Sequence, residues 1–191
     1  TLGWLDRQGI RYEASDDFDH FKLFGGQSYH GQEVTIPGDF SSATFFLVAG
    51  AIMEGDITLQ GLDMKDRQGD KQVISYLKEM GAKINFEENG IRVQGGSLRG
   101  VELDLSDTPD ALPAMAVAGC FARGKTTIRN VANARIKETD RISVMAKELG
   151  RLGAKIEELP DGLIIHESAL HGCAVQSYGD HRVVMSLAVA G

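Results

Sequence analysis

The chain has 191 residues, of which 42% are hydrophobic and 25% are charged, so its composition indicates a globular protein with one or two domains rather than a disordered polypeptide. Its net charge of −7 argues against a broad surface for nucleic acid or anionic membranes, because those partners select clustered Lys and Arg. Apolar stretches such as residues 114–122 are too short to span a bilayer, and the two cysteines form no disulfide framework or metal-binding pattern, so a reducing cytoplasm is the expected location.

A repeat of about 70 residues runs along the chain. The triplet Val-Ala-Gly ends at Gly50, Gly119 and Gly191, at offsets of 69 (119 minus 50) and 72 (191 minus 119) residues. The segments 77–84 (LKEMGAKI) and 149–156 (LGRLGAKI) also match at the offset of 72. A period of this length holds a whole supersecondary unit, so the sequence predicts a fold built from repeated units.

Hydrophobic periodicity and turn signals predict the elements within one period, in chain order. They are an apolar helix at about 41–53, a strand at 56–60, an amphipathic helix at 70–80, and short strands at 82–87, 91–94 and 101–105. Asn89-Gly90 predicts a β-hairpin, and Asp161-Gly162 has the same place in the next period. With a strand counted before the apolar helix, each unit is predicted to be βαβαββ.

The first helix of each unit is apolar around its whole circumference, which predicts that it is buried on all sides. Several units that share this feature would pack their helices inward and their sheets outward, the reverse of the usual α/β layering. The sequence therefore predicts an α/β fold of the α+β type, an inside-out α-β prism built from repeated βαβαββ units. The apolar residues on which this rests are Phe45, Phe46, Leu47, Val48, Ala51 and Ile52 in one helix and Leu112, Met115, Val117 and Phe121 in the next.

The repeat also predicts the domain organisation. Residues 1–37 are expected to be the terminal part of the substrate-side domain, and residues 38–191 to be a second prism domain with two full βαβαββ units and the start of a third, both incomplete. The helices that contain Gly50 and Gly119 run on for several residues, whereas the sequence stops at Gly191. We therefore expect the chain to be a fragment, truncated at both ends.

A charged segment, Lys137-Glu138-Thr139-Asp140-Arg141, lies where an amphipathic helix is predicted to begin. Thr139 or Asp140 can cap this helix. Its unpaired backbone N–H groups attract phosphate or carboxylate, and Lys137 and Arg141 add full charges, so the segment predicts an anion site with Glu138 beside the anion. Ordinary helix punctuation, with a surface ion pair between Glu138 and Arg141, is the alternative.

One face of the same predicted helix is apolar and the other is polar. The apolar face carries Ile142, Met145, Ala146, Leu149 and Leu152. On the opposite face, Lys147, Glu148 and Arg151 are predicted to lie in water.

Two further polar segments precede apolar helices at equivalent places in the repeat. Residues 106–113 contain Asp110, and residues 179–182 contain Arg182. Corresponding ends of repeated units converge around a prism axis, so we expect both side chains to share one cleft with Lys137, Glu138 and Arg141. Alternatively, Asp110 merely caps its helix, as Ser41 does at the equivalent place.

The motifs at 137–141 (KETDR), 107–110 (DTPD) and 180–182 (DHR) resemble those of the 5-enolpyruvylshikimate-3-phosphate synthase family, and the resemblance covers essentially the whole chain. It implies two domains of three βαβαββ units each, with the active site between them, of which this chain holds a little under half. It also implies transfer of the enolpyruvyl group of phosphoenolpyruvate to the 5-hydroxyl of shikimate 3-phosphate, without a metal or organic cofactor. The expected partners are these two small molecules, with no nucleic acid and no membrane, and the whole protein is expected to be a monomer.

The resemblance assigns roles to particular residues. Asp110 matches the catalytic proton acceptor that contacts the attacking hydroxyl, and Glu138 matches the catalytic glutamate near the methylene carbon, although the sequence leaves open which acts at each step. Shikimate 3-phosphate is expected to be bound by Asp110, Asn133 and Lys137. Phosphoenolpyruvate is expected to be held by Arg141 and Arg182, whose planar forks suit carboxylate and phosphate.

Some residues near these motifs favour structural interpretations. His181 is a further candidate for binding, but a structural role is favoured, and Asn133 could instead belong to a turn. In the first unit, Lys65 and Asp66 occupy the places of Lys137 and Glu138, but Gly69 replaces Arg141. That copy of the site is therefore predicted to be vestigial.

Two other functions compete with this interpretation. One is enolpyruvyl transfer to UDP-N-acetylglucosamine on the same scaffold, which the KETDR motif disfavours. The other is a noncatalytic binding domain of the same fold, for example for RNA, which the acidic charge disfavours. We also expect the isolated fragment to be inactive, because a cleft between two domains needs both walls to orient its substrates.

Overall fold

Two compact units make up the structure, a computed structural model that describes residues 1–191. One comprises Thr1–Ile36 and the other Pro37–Gly191. The shorter unit contains α1 (Leu2–Arg7) and a hairpin of β1 (Tyr12–Ala14) and β2 (Phe21–Leu23). Its assignment to a substrate-side domain stays a prediction.

The longer unit follows the predicted order of elements closely. Its helices are α2 (Phe40–Ile52), α3 (Val73–Glu79), α4 (Leu112–Phe121), α5 (Arg141–Arg151) and α6 (His181–Ala190). Its strands are β3 (Asp56–Leu59), β4 (Lys83–Glu87), β5 (Gly90–Gln94), β6 (Glu102–Asp104), β7 (Lys125–Arg129), β8 (Lys155–Leu159) and β9 (Gly162–His166). Short 3-10 turns precede α3, α4 and α5, at Gly69–Gln72, Pro109–Ala111 and Ala132–Ile136.

Two sheets carry the strands of this unit. One has the order β3-β5-β4 and is antiparallel, and the other has the order β6-β7-β9-β8, in which only β6 and β7 are parallel. Two-residue turns at Glu88-Asn89 and Pro160-Asp161 join β4 to β5 and β8 to β9, which confirms both predicted hairpins, with Gly90 and Gly162 as the first residues of the second strands. The second repeat is therefore a complete βαβαββ unit.

The strand predicted before each apolar helix forms only in the second repeat, as β6. No further strand lies between β2 and α2, or between β9 and α6. Strand β6 takes its partner from β7, which follows α4, whereas no strand follows α6 within the 191 residues. Before α2, a single backbone hydrogen bond from the Gly38 N–H to the Gly61 carbonyl, at 2.6 Å, takes the place of strand pairing.

The apolar helices lie inside this unit and the sheets lie outside. Helices α2, α4 and α6 pack against one another, α2 also contacts β3 and β5, and α4 contacts β7 and β9. Every residue of α4 from Leu112 to Cys120 is buried, as predicted. Phe46 of α2 and Phe121 at the end of α4 are 58% and 38% exposed, so the prediction of burial is wrong for these two side chains. The predicted inside-out arrangement is confirmed. None of the helices has the length and apolar character needed to cross a membrane.

In two of the repeated Val-Ala-Gly triplets, those that end at Gly50 and Gly119, the glycine lies where a central helix is in close contact with a sheet. A Cβ atom on Gly50 would lie 2.4 Å from Cγ1 of Val93 in β5. At the equivalent Gly119 of α4, a Cβ atom would lie 3.3 Å from side-chain atoms of Ile165 and Thr126. Glycine at these places thus lets the central helices rest directly on the sheets.

Gly50→Ala is expected to lower the free energy of unfolding of the whole protein by about 1–3 kcal/mol, because the added methyl group must displace the buried Val93. Urea unfolding followed by circular dichroism would measure this change. Gly119→Ala, whose contacts are looser, is the milder comparison. Val93→Ala is expected to lower the free energy of unfolding less in the Gly50→Ala background than in the wild type, because it makes room for the added methyl group. Equal losses in the two backgrounds would contradict the proposed contact.

Candidate functional site

The start of α5 is fixed by its cap. Asp140 is the N-cap residue, and its Oδ1 accepts a hydrogen bond from the Ser143 N–H at 3.0 Å, so of the two predicted caps the structure uses Asp140. Its other carboxylate oxygen pairs with Arg135 at 2.7 Å. Lys147 and Arg151 are exposed, as predicted, but Glu148 is fully buried, so its predicted place in water is wrong.

Arg141, the first residue of α5, is only 1% exposed and pairs with three carboxylates. Its Nε donates to Asp180 at 2.8 Å, its Nη1 to Asp110 at 2.8 Å, and its Nη2 to Glu138 at 2.5 Å. Burial alone would lower the pKa of Arg141, but hydrogen bonds and attraction from these carboxylates raise it above its ordinary value. The guanidinium is therefore a fixed charge that joins three distant parts of the chain.

Asp110 is the point at which the cations of the site meet. Its carboxylate lies 3.3 Å from Nζ of Lys137, 2.8 Å from Nη1 of Arg141 and 3.3 Å from Nη2 of Arg182. Partial burial raises the pKa of Asp110, but attraction from Arg182, Lys137 and Arg141 outweighs burial and holds the pKa below its ordinary value. Asp110 is thus ionised at neutral pH and can accept a proton.

The alternative that Asp110 and Ser41 serve as helix caps is wrong. The 3-10 turn that contains Asp110 and the helix after it have no side-chain cap, and α2 is capped by Asp39 rather than by Ser41. The Asp39 carboxylate accepts from the backbone N–H groups of Ser41 and Ser42 at 3.1 and 2.9 Å. Asp110 is therefore left to face the cations.

Asp180 is a buried residue of the site, and its sequence motif predicted no separate role for it. Its side chain is fully buried and caps α6 by accepting from the N–H groups of Arg182 and Val183 at 2.8 and 3.4 Å, while it also holds Arg141. Burial raises its pKa, but these hydrogen bonds lower the pKa below its ordinary value. The repeat carried a signal for this role, because Asp39 lies as far before Gly50 as Asp180 lies before Gly191.

Three other predicted residues lie around this cluster. Glu138 is half-exposed at its edge, and Nδ1 of His181 lies 3.8 Å from a Glu138 oxygen. Asn133 is exposed in the 3-10 turn before Lys137 and makes none of the contacts described above. The structure thus brings together Asp110, Lys137, Glu138, Arg141, His181 and Arg182, and leaves Asn133 outside their contacts.

Comparison with known proteins decides the family. The family of EPSP synthase (3-phosphoshikimate 1-carboxyvinyltransferase) matches residues 1–191. The chain belongs to this family.

Individual members of the EPSP synthase family resemble the chain along its whole length. It is 58% identical, over 191 residues, to the 3-phosphoshikimate 1-carboxyvinyltransferases of Ruminiclostridium cellulolyticum and of Acetivibrio thermocellus. Each match covers 100% of this chain and 45% of the relative, so the chain spans under half the length of these curated relatives. A solved EPSP synthase from Acinetobacter baumannii matches with a TM-score of 0.82 and 32% identity, over 97% of this chain and 46% of that chain.

The first repeat holds its helices differently from the EPSP synthase motif of the second. Gly69 takes the place of Arg141, and nearby Gln68 bonds to the Phe40 N–H at 2.7 Å and to the Gly38 carbonyl at 3.0 Å. A carboxylate caps both α2 and α6, but the neutral amide of Gln68 contacts the start of α2, whereas the guanidinium of Arg141 pairs with the cap of α6. No group of three or more His, Cys, Asp or Glu side chains is arranged to hold a metal ion.

Three carboxylates with lowered pKa values in this EPSP synthase family member predict how the free energy of unfolding depends on pH. In the folded chain the pKa values of Asp110, Asp180 and Glu148 are all below their ordinary values, so on acidification the unfolded chain binds protons first. Their stabilisation is expected to be fully present above about pH 5 and to be lost as pH falls through the lowered folded values. Urea unfolding of the whole protein between pH 3 and pH 7 would show this loss. Asp180→Asn should flatten the slope, and an equal slope in the variant would contradict the assignment.

Proposed function

We propose that the whole protein that contains this chain transfers the enolpyruvyl group of phosphoenolpyruvate to the 5-hydroxyl of shikimate 3-phosphate and releases phosphate. Membership of the EPSP synthase family supports this proposal. The observation that carries it is the single cluster in which one buried guanidinium contacts two partly exposed carboxylates beside two further cations. Such a cluster offers both the proton-transfer groups and the anion clamps that the reaction needs.

Asp110 is the proposed proton acceptor. In the addition step the methylene carbon of phosphoenolpyruvate gains a proton, the 5-hydroxyl oxygen bonds to the adjacent carbon, and the hydroxyl proton leaves to a base. Three cations keep Asp110 ionised, so it can receive that proton at neutral pH. In the elimination step the tetrahedral intermediate loses a proton from the same methyl group and expels phosphate, which restores the carbon–carbon double bond.

Glu138 is the proposed partner in proton transfer at the methylene carbon. Its carboxylate occupies one N–H of Arg141 at 2.5 Å and remains half-exposed, so it can be displaced more readily than the buried Asp180. An incoming carboxylate or phosphate group would replace Glu138 on Arg141. Binding of phosphoenolpyruvate would thus free Glu138 from Arg141, so that it can take up a proton from solvent and, as the carboxylic acid, donate it to the methylene carbon; in the elimination step the carboxylate takes a proton back.

Arg141, Arg182 and Lys137 are the proposed anion ligands, with Arg141 and Arg182 for phosphoenolpyruvate and Lys137, together with Asn133, for shikimate 3-phosphate. Within the cluster, three cations face three carboxylates, so its formal charge is zero. Two polyanionic substrates therefore need further cations. The relatives are about twice as long as this chain, and we assign those cations to the remainder of the whole protein.

The proposal extends to the setting in which the protein works. It places the whole protein in the cytoplasm as a monomer that uses neither a metal nor an organic cofactor. Both cysteines are free thiols, one buried and one exposed, as suits a reducing compartment.

A direct assay of the whole protein tests this proposal. Purified protein would be incubated with phosphoenolpyruvate and shikimate 3-phosphate, and the release of phosphate and the enolpyruvyl product would be followed. Turnover is expected with this pair and not with phosphoenolpyruvate and UDP-N-acetylglucosamine. Turnover of only the UDP-sugar would transfer the proposal to the related reaction, and salt-sensitive RNA binding without turnover of either would replace it with a binding function.

A further inference from the structure

Glu148 has an unusual place for a carboxylate. It lies seven residues, or two helical turns, after Arg141 on α5, and its side chain is fully buried. Carboxylates are seldom fully buried unless they are paired or accept several hydrogen bonds. Its partners should therefore show what it does.

Two of its three partners belong to the segment that leads to α6. The Oε2 atom of Glu148 accepts from the Gln176 N–H at 3.0 Å, and Oε1 accepts from the Tyr178 hydroxyl at 3.0 Å. The third partner, Arg151, is on α5 itself and is partly exposed. Glu148 thus attaches residues 176–178 to the middle of α5.

The attached segment contains a tight turn immediately before the site. Tyr178 and Gly179 both have left-handed backbone conformations, with φ values of 55° and 76°. This conformation is unfavourable for a tyrosine, so contacts must hold it in place. The Tyr178 hydroxyl bond to Glu148 is one such contact, and Lys147 Nζ lies 5.3 Å from the centre of the tyrosine ring.

The turn delivers Asp180, which in turn holds both arginines of the site. Asp180 accepts from Nε of Arg141 at 2.8 Å and from the backbone N–H of Arg182 at 2.8 Å. Helix α5 therefore contacts the same segment at two points, through Arg141 at its start and through Glu148 two turns later. Two attachment points fix the direction in which the segment enters α6, which a single ion pair cannot do.

We propose that Glu148 is a positioning residue, which holds residues 176–179 against α5 and thereby sets Arg182 and Asp180 for binding of the phosphorylated substrate anion. This inference rests on the proposed function. Glu148 acts only through the segment that it holds, because its carboxylate is buried and its hydrogen bonds go to Gln176, Tyr178 and Arg151.

Three substitutions in the whole protein test the proposal. Glu148→Ala removes both bonds to the segment, whereas Glu148→Gln keeps an oxygen for the Gln176 N–H and an amide that the Tyr178 hydroxyl can accept from. Tyr178→Phe removes one bond at a side chain that is 44% exposed, so this variant should fold even if Glu148→Ala does not. Arg151→Ala is the control for the third partner. Ile91→Ala, a buried change on β5 in the other sheet, is the control for general loss of stability.

Steady-state kinetics and hydrogen exchange are the two measurements. Glu148→Ala is expected to raise KM for phosphoenolpyruvate about tenfold, which corresponds to about 1.4 kcal/mol, with a smaller change in kcat. It should also speed amide exchange across residues 176–183 while strands β7 and β9 exchange as before. Glu148→Gln should restore most of KM, Tyr178→Phe should raise KM about threefold, and the two controls should leave KM within about twofold even where Tm falls.

The outcomes separate this proposal from the proposed function. Unchanged exchange over 176–183 and unchanged KM in Glu148→Ala and Tyr178→Phe would overturn the positioning role. Equal rises of KM in Ile91→Ala and Glu148→Ala would also overturn it, because the effect would then reflect stability alone. A wild-type protein that turns over neither substrate pair would overturn the proposed function, whereas faster exchange confined to 176–183 in Glu148→Ala would still support the attachment.

Discussion

Replacing Arg141 by methionine in the whole protein is expected to lower the free energy of unfolding by about 3–5 kcal/mol, because the substitution leaves a buried carboxylate without its partner. That carboxylate belongs to Asp180, whose side chain is fully buried and has Arg141 as its cation. The same change is expected to lower kcat/KM by about a hundredfold or more, since it removes the donors that the substrate anion would use. Urea unfolding and steady-state kinetics would measure the two effects.

A second substitution separates the structural effect from the loss of binding. Asp180→Ser removes the buried charge but keeps a side-chain oxygen that can cap α6. In the Arg141→Met, Asp180→Ser double variant, much of the lost stability should return while activity stays low. Arg141→Lys keeps the charge without the planar fork and should fall between the wild type and Arg141→Met in activity. A stable and fully active Arg141→Met protein would contradict the central place given to Arg141.

Arg141 joins the fold and the site because three segments meet on its one guanidinium. Asp110 precedes α4, Glu138 precedes α5, and Asp180 begins α6. Each carboxylate thus lies at the start of a different helix, so the packing of these helices also brings the cluster together. Substitutions in this cluster should consequently change both stability and catalysis. Each substitution therefore needs a control variant that changes only one of these two properties.

The repeat and the KETDR motif made this cluster predictable from the sequence. Repetition indicated that the starts of equivalent helices converge, and the charged residues at those starts then indicated an anion site. Asp110, Lys137, Glu138, Arg141 and Arg182 do lie in contact, as the convergence predicted. The sequence could not show that Arg141 is buried, because that depends on three partners up to 39 residues away.

Glu148 shows where periodicity misled. A helical pattern predicts that charged side chains opposite the apolar stripe lie in water, and this prediction is correct for Lys147 and Arg151. Glu148 is covered instead by residues 176–178, an irregular segment with no periodic signal. The strand that a βαβαββ unit would place before α6 is also absent, and the backbone there is irregular. Both errors arise because irregular segments take their structure from tertiary contacts.

Asp110→Asn is expected to lower kcat by about 10²- to 10⁴-fold, the range for loss of a general base, because the amide cannot accept the proton of the attacking hydroxyl. The affinity for phosphoenolpyruvate, by contrast, should rise. Asp110 now competes with substrate anions for Lys137, Arg141 and Arg182, so its neutralisation leaves more positive charge for the ligand. Kinetics would give kcat, and isothermal titration calorimetry would give the affinity for phosphoenolpyruvate.

The opposite signs of these two effects make Asp110→Asn decisive for the assigned role. Glu157→Gln, an exposed change on the outer strand β8, is the matched control and should leave both quantities unchanged. Because the pKa of Asp110 lies below its ordinary value, kcat/KM of the wild type should show no acid limb from this residue near neutral pH. If Asp110→Asn weakened phosphoenolpyruvate binding and left kcat intact, Asp110 would be an organiser of the cations rather than the proton acceptor.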